Sequence, residues 1–408
     1  MTEINMADLI FIKNMFYYDI IILMKTVYVG MSGGVDSSVS ALLLKEQGYH
    51  VVGIYMKNWS QDLPGMKCPW AEDLADAKRV AVKLGIDFEV WDFEDAYREK
   101  VVEYMLDEFK KGNTPNPDIM CNQEIKFKLF YEKAMEAGAD YIATGHYARI
   151  KTLSDNSYSG SRRSRPSPRG ERANPRAAAL RNTPSQELSE QALLMRAVDE
   201  NKDQTYFLYR ISDEALAHTI FPIGEMMKPE VKKLAEKNGL HNAYKKESMG
   251  VCFVGEVGMK DFLKEYIDIE PGEIREIESE KVLGYHEGAV FYTIGQRHGL
   301  YLNGEKGTVN DGMPYYVVKK DIKNNIVYVS KNLNHEAIWT KELELKDILL
   351  HQDVNNNVQV RLRHRAPLIP AIFDGKTLHF EKEIKRPASG QSAVLYDGEI
   401  CLGGGIIA

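Results

Sequence analysis

The sequence predicts an α/β N-terminal domain built on a doubly wound parallel sheet, a small central domain, and an all-β, barrel-like C-terminal domain. Three observations carry this. From residue 26 to 150, apolar strand-like runs alternate with helical stretches, the pattern of a parallel sheet covered by helices on both faces. The first unit, VYVGMSGGVDSSVSALLL (27–44), is an apolar strand, a small-residue turn and an apolar helix. From about Gly272 the texture changes to short apolar runs separated by Gly, Asn and Asp turns, the spacing of a small barrel or sandwich.

The elements follow in order. TVYVG is a strand and SSVSALLLKEQG a helix; HVVGIYM, AEDLADAKRVAVKLG and DFEVWDF repeat the alternation. EDAYREKVVEYMLDEFKKG and NQEIKFKLFYEKAMEAG are helices, and ADYIATGHYARI reads as one strand. Right-handed crossovers place the first turn at the carboxyl edge of the sheet, where such folds bind ligands. Residues 154–190, rich in Ser, Pro and Arg, read as a disordered insertion, either a solvated spacer or a segment whose arginines (Arg162, Arg163, Arg165, Arg169, Arg172, Arg176 and Arg181) grip phosphates. ALLMRAVDENKDQTYFLYRI resumes order, and KPEVKKLAEKNGL is a short helix with Pro229 in its first turn. The β runs beyond are AVFYTIG, PYYVVKKD, NIVYVS, NVQVRLR, AIFDG, QSAVLYDG and ICLGGGII. The expected divisions are an extension or over-called start at 1–24, a catalytic domain at 25–217, a central domain at 218–280 and a β domain at 281–408.

A chain of 408 residues suggests roughly two to three domains. Its hydrophobic share of 44% and charged share of 27% are those of an ordinary globular protein. The net charge of -7 means that any nucleic-acid binding relies on local basic patches. The four cysteines, Cys68, Cys121, Cys252 and Cys401, form no CxxC pair, which argues against zinc-ribbon and thioredoxin-like readings. With no secretory signal, thiols and a cytoplasmic location are expected. LIFIKNMFYYDIIILM is too short and too interrupted by Lys13, Asn14 and Asp19 for a membrane span. Met24-Lys25-Thr26 makes a natural start just before the first strand.

The turn Ser32-Gly33-Gly34-Val35-Asp36-Ser37-Ser38 carries the first chemistry. Two glycines let backbone N–H groups converge on an anion, and the following helix points its positive end at the same place. Ser32, Ser37 and Ser38 add hydroxyls. Asp36 is out of place in a pure phosphate cradle, because it repels; a Mg²⁺ beside it makes sense of it. The lysine of a Walker-type loop is missing.

Two cysteines carry the second. In TPNPDIMCNQEIKF (114–127), Pro115 and Pro117 fix an extended approach, and Cys121 precedes a helix beginning near Asn122. A thiol at a helix N-terminus has a lowered pKa. In KKESMGVCFVG (245–255), Cys252 sits among small and apolar residues after two lysines. In such a pair one thiol can carry sulfur as a persulfide and the other can release it by forming a disulfide.

SGGVDSS resembles the signature of the PP-loop pyrophosphatases, the adenine-nucleotide α-hydrolase-like group. That resemblance implies ATP cleavage between the α and β phosphates, to adenylate a carbonyl-type oxygen. From about residue 25 to the C-terminus, apart from the insertion, the chain resembles the tRNA 2-thiouridylase family more closely. The carrying motifs are GMSGGVDSS, MKNW, NPDIMCN, ATGHYARI, KDQTYFLY, GVCFVG, YTIGQRHGL and GQSAVLYDG. The resemblance implies that Gly30, Met31, Ser32, Gly33, Gly34, Val35, Asp36 and Ser37 form the ATP loop, with Met56 and Gly145 packed around the nucleotide. It implies that Asn116, Pro117 and Asp118 meet the target base, that Cys121 is the nucleophile and that Cys252 carries the persulfide. Lys202, Asp203, Gln204, His146, Arg363 and Gln391 match tRNA-contacting positions. His364 stands where the family usually has Tyr, which leaves a stacking contact there open. The Arg-rich insertion is outside the family pattern.

The implied reaction thiolates C2 of the wobble uridine in a tRNA anticodon loop. ATP adenylates the C2 oxygen, the Cys252 persulfide brings sulfur, and a Cys121–Cys252 disulfide remains. The persulfide attacks directly, or Cys121 first frees sulfide. The implied cofactors are ATP and Mg²⁺. The implied partners are tRNA, a persulfide sulfur-donor protein and a reductant for the disulfide, with no membrane. The alternative is another PP-loop tRNA thiolase or ligase. A ligase needs no cysteine pair, and an iron–sulfur thiolase would want CxxC pairs. A non-catalytic, ATP-gated RNA-binding protein would be indifferent to loss of both cysteines.

Overall fold

The computed structural model describes residues 24–62, 68–153, 191–246, 258–302, 305–306 and 313–408. Residues 1–23, the insertion 154–190 and the segment with Cys252 (247–257) lie outside the described residues.

Five parallel strands form the first sheet in the order β3-β2-β1-β4-β7: β1 is Thr26–Gly30, β2 His50–Lys57, β3 Asp87–Asp92, β4 Tyr141–Thr144 and β7 Thr219–Ile220. Successive side chains of a strand point to opposite faces. Val27 and Val29 accordingly join one buried cluster with Val39, Val80 and Val231, while Tyr28 joins a second with Trp91, Ile125 and Phe130. Helices α1 (Val35–Glu46) and α2 (Trp70–Leu84) follow β1 and β2. Two longer helical stretches, α3 (94–110) and α4 (117–136), widen to π-helical bonding over Arg98–Glu103 and Cys121–Leu129. Helix α5 (Lys228–Lys237) packs against α1 through buried Val231 and Ala235.

The stretch expected as one strand, 139–150, is two. It breaks at residues 145–147, where Tyr147 exchanges backbone and side-chain bonds with Gln204: Tyr147 N donates to Gln204 Oε1 at 2.9 Å, and Gln204 N donates to Tyr147 O at 2.9 Å. The second half, β5 (Ala148–Leu153), leaves the parallel sheet and pairs with β6 (Gln191–Arg196) as a hairpin flanking the insertion.

A second sheet has the order β11-β10-β9-β8-β13-β12: β8 Gly272–Glu276, β9 Val282–His286, β10 Tyr301–Leu302, β11 Glu305–Lys306, β12 Tyr316–Asp321 and β13 Ile326–Ser330. The AVFYTIG run, expected as a strand, begins with a 3₁₀ turn at Ala289–Phe291. The third sheet holds β14 (Trp339–Leu350), β17 (Thr377–Lys385), β16 (Ile369–Phe373), β15 (Asn357–Arg361), β18 (Ser392–Asp397) and β19 (Ile400–Ile407), and the added β14–β19 pairing closes it into a barrel. Hairpin β5–β6 extends it at β19, so the N-terminal domain is stitched to the barrel. The divisions expected at 217/218 and 280/281 do not follow these sheets. The first separates α5 and β7 from the domain they pack in. The second cuts the β8–β9 hairpin beside Glu280, a residue at φ 59. A two-residue strand leaves no periodicity to read, which is why the sequence missed β7.

Candidate active site

The strand order places β1 between β2 and β4, so the loops after β1 and β4 open at the point where the connections reverse. This is the ligand crevice of an open α/β sheet. The turn after β1 enters α1 with Gly34 as its N-cap and no side chain capping it, which leaves the first N–H groups for a ligand. Gly33 sits at φ +76, and a Cβ there would stand 2.4 Å from the Asp73 carbonyl oxygen. Only glycine fits that approach.

The hydroxyls do less than the sequence suggested. Ser37 and Ser38 are buried, and both donate to the Gly34 carbonyl, at 3.2 and 2.8 Å. Ser32 alone of the three is exposed. The cradle is therefore a backbone one, braced from below. Asn242 Nδ2 donates to Gly33 O and Ser38 Oγ, both at 2.9 Å.

Gly145 and Met56 lie against the turn and the end of β1. A Cβ on Gly145 would lie 2.6 Å from Ser37 N, and one on Gly30 would lie 2.8 Å from Met56 Cε. The turn after β4 thus lies directly on the start of α1. Met31 and Val35 are buried beneath the loop.

Asp36 differs from expectation. Its carboxylate receives the Lys228 ammonium at 2.7 Å (Oδ1) and 2.8 Å (Oδ2), and the Tyr147 hydroxyl at 2.9 Å (Oδ1). A Mg²⁺ ligand needs a carboxylate lone pair open to the metal. Both oxygens face the Lys228 ammonium, and a second cation placed on them would be repelled by it, so Asp36 as placed does not fit a metal ligand. Among the described residues no three metal-ligating side chains converge.

Cys121 stands deeper in its helix than expected. The helix starts at Pro117, capped by Asn116, whose Oδ1 accepts from Asp118 N at 3.2 Å and Ile119 N at 3.4 Å. An Asn cap followed by proline at the first helical position is the stronger start signal. It overrides the reading near Asn122. Cys121 is 4% exposed and opens the π-helical stretch. Asp118 lies one turn earlier on the same face. Burial pushes its carboxyl above the usual range, against the opposing pull of Lys126. Asn122 Nδ2 donates to the Phe207 carbonyl at 3.1 Å.

The positions expected at tRNA fall into two groups. His146 is buried, with Nδ1 2.7 Å from Thr144 Oγ1 and its ring between Phe127 and Phe221. Burial, with Lys126 nearby, holds its pKa well below the histidine range. Asp203 is also interior: it accepts from Ala197 N, Thr205 N and Thr205 Oγ1 and pairs with Arg361. Gln204 braces Tyr147, and Gln391 Nε2 donates to Thr114 O at 2.6 Å. Each of these four positions a loop or an interface. Arg363 is exposed and Lys202 half-buried. His364 packs its ring on Phe207, centroids 4.6 Å apart, and burial lowers its pKa to about 4. Buried Cys68 and Cys401 lie in the core, and burial pushes the Cys401 thiol up to about 12.

Sequence reading missed Lys228, Tyr147 and Asn242. Lys228 lies 192 residues from its partner Asp36, and no local pattern links them.

Residues 25–256 match the model of a tRNA methyl transferase HUP domain, 260–331 that of a tRNA methyl transferase PRC-barrel domain, and 337–407 that of an aminomethyltransferase beta-barrel domain. The chain is 42% identical over 390 residues to a Listeria monocytogenes protein named tRNA-specific 2-thiouridylase MnmA, covering 93% of this chain and 94% of the relative. It is 44% identical over 395 residues to tRNA-specific 2-thiouridylase MnmA 1 of Geobacillus kaustophilus, covering 94% and 95%. It is 41% identical over 390 residues to the protein of that name, MnmA, from Staphylococcus saprophyticus, covering 93% and 94%.

Proposed function

The chain belongs to the tRNA-specific 2-thiouridylase family, and from that premise we propose that it thiolates C2 of the wobble uridine of tRNA at the cost of ATP. The observation that carries the reading is a chain of contacts. Gly145 abuts the start of α1, His146 follows it, and Phe127 of the Cys121 helix packs on His146, ring centroids 5.8 Å apart. The anion cradle and the Cys121 helix therefore meet across one turn. The matched domain descriptions speak of methyl transfer and the full-length relatives of thiolation. A backbone cradle at a helix N-terminus suits a polyphosphate. Thiolation through adenylation needs one, and methyl transfer does not.

In the proposed sequence the target uridine leaves its stack to reach the crevice. Its C2 oxygen attacks the α phosphate of ATP, and pyrophosphate departs into the cradle of residues 32–38, whose N–H groups stabilise the charge. The terminal sulfur of a Cys252 persulfide then attacks C2 and AMP leaves. The Cys121 thiolate takes the Cys252 sulfur, so that C2 keeps its sulfur and a Cys121–Cys252 disulfide forms. In the variant route Cys121 cleaves the persulfide first and hydrosulfide attacks C2, with the same disulfide left. A persulfide donor protein reloads Cys252 and a thiol reductant reopens the disulfide. No step is assigned to a protein-held Mg²⁺. Arg363, Lys202 and His364 are the proposed tRNA contacts, and Asn116, Pro117 and Asp118 line the approach of the base. Among the described residues no helix is long and apolar enough to cross a membrane. A cytoplasmic location, where ATP and tRNA are both present, is part of the same proposal.

The test is thiolation of a tRNA pool with ATP and a persulfide donor, read by nucleoside mass spectrometry. 2-Thiouridine should form with wild type and vanish with Cys252→Ser and with Cys121→Ser, while ATP binding survives in both. Undiminished thiolation in either variant refutes its assigned role.

A further inference from the structure

The turn Ser32–Ser38 holds no cation in its own sequence and one anion, Asp36. That carboxylate lies in the first turn of α1, where a polyphosphate would approach, and a bare carboxylate there repels it. Lys228 meets it with both oxygens inside hydrogen-bond distance, 2.7 and 2.8 Å.

Lys228 is not a surface side chain folded over by chance. It is 7% exposed, and its own backbone N–H donates to Asp199 Oδ2 at 3.0 Å. It stands at the first position of α5, ahead of Pro229, and Glu230 Oε2 accepts from Met227 N at 2.8 Å. The Tyr147 hydroxyl, held by the same turn that carries Gly145, completes the carboxylate's partners, and its ring lies 5.7 Å from the ammonium. Lysine is almost never this buried without a paired anion, and desolvating such a pair is costly.

We propose that Lys228 is a positioning residue for ATP: it neutralises Asp36, so that the polyphosphate meets the helix N-terminus and not an uncompensated carboxylate. Asp36 is then the seat of a lysine rather than a metal ligand. The inference rests on the ATP reading of the turn and deepens it. The lysine missing from the loop's sequence is supplied in space by a helix almost two hundred residues away, and it acts through Asp36.

The experiment measures the ATP dissociation constant of the full chain by calorimetry, with and without Mg²⁺, alongside the thermal midpoint. The variants are Lys228→Met, Lys228→Arg, Asp36→Asn and the double Lys228→Met/Asp36→Asn. Lys228→Met should weaken ATP binding about tenfold or more, because it strands a charge beside the phosphates. Lys228→Arg keeps the charge and should bind more tightly than Lys228→Met. The double variant should bind ATP more tightly than Lys228→Met, since it leaves neither a bare carboxylate nor a bare ammonium, whereas Asp36→Asn strands the buried ammonium and should lower the thermal midpoint. A role in packing alone predicts no rescue by the second substitution, and that result overturns the inference. So does wild-type affinity in Lys228→Met, or an Asp36→Asn loss that appears only with Mg²⁺. Wild type that binds no ATP at all sinks the ATP reading itself, which separates the two failures.

Discussion

Asp203 and Arg361 are joined across the boundary between the N-terminal domain and the C-terminal barrel, with Oδ2 and Nη1 2.5 Å apart and side chains 0% and 5% exposed. Thr205 Oγ1, which donates to Asp203, also lies 3.1 Å from the Tyr396 hydroxyl of β18. The pair is an interface lock inside the molecule. Arg361→Leu leaves the buried carboxylate with Arg196 at 3.6 Å as its remaining cation, so the cost is at most roughly 3–5 kcal/mol. The thermal midpoint should fall clearly, while tRNA affinity of the folded fraction at low temperature stays the same. Lost tRNA affinity at an unchanged midpoint would instead place the pair at the RNA surface.

Gly145→Ala tests the contact between the turn after β4 and the ATP loop. Its Cβ would stand 2.6 Å from Ser37 N and 2.8 Å from Asp36 C, both backbone atoms that cannot swing aside. The loop must shift, so ATP affinity should drop by more than about tenfold. Folding survives, because the strain sits in a surface crevice. Equilibrium binding of ATP is the readout, and unchanged affinity would show that the loop tolerates the displacement.

Asp118 gives a pH signature. Burial raises its carboxyl pKa in the folded chain above the unfolded value, so the folded state favours the protonated form. Stability from this group is present below the unfolded pKa and lost as pH rises through the folded one. Asp118→Asn removes the penalty. It should therefore be more stable than wild type at neutral pH, with the difference shrinking as pH falls into the acid range. Urea unfolding at several pH values measures this. A pH-independent difference would locate the effect in packing.

Gln391 Nε2 bridges the C-terminal barrel to the backbone ahead of the Cys121 helix, and Thr114 N donates to Ser389 O at 2.8 Å in the same place. Gln391→Ala removes the bond to Thr114 O, worth about 1 kcal/mol, and the long one to Pro115 O at 3.5 Å. The larger effect should fall on turnover, because the clamp sets where Asn116 starts the helix. Thiolation kcat should fall several-fold while tRNA binding changes little. A loss of tRNA affinity at unchanged kcat would make Gln391 an RNA contact.

Much of this molecule is written locally. Apolar runs alternating with helical stretches marked β1 to β4, and Gly33 and Gly34 marked the turn after β1, because both depend on neighbours a few residues apart. The capping of Pro117–Met120 by Asn116 was also local, yet it was overlooked in favour of the apolar face that begins later. The strands β14 and β17 carry no continuous apolar run: charged residues interrupt them, and only Thr340, Leu343 and Leu345 in β14 and Leu378 and Phe380 in β17 are buried. The pairing of Asp36 with Lys228, of Asp203 with Arg361 and of Gln391 with Thr114 could not be read at all. Each joins residues more than 150 positions apart. Residue type and spacing determined that a glycine turn leads from β1 into α1 and that a helix carries Cys121. Only the folded chain decided which charge faces that turn, because long-range pairing depends on where helices and barrel come to rest and leaves no period in the sequence.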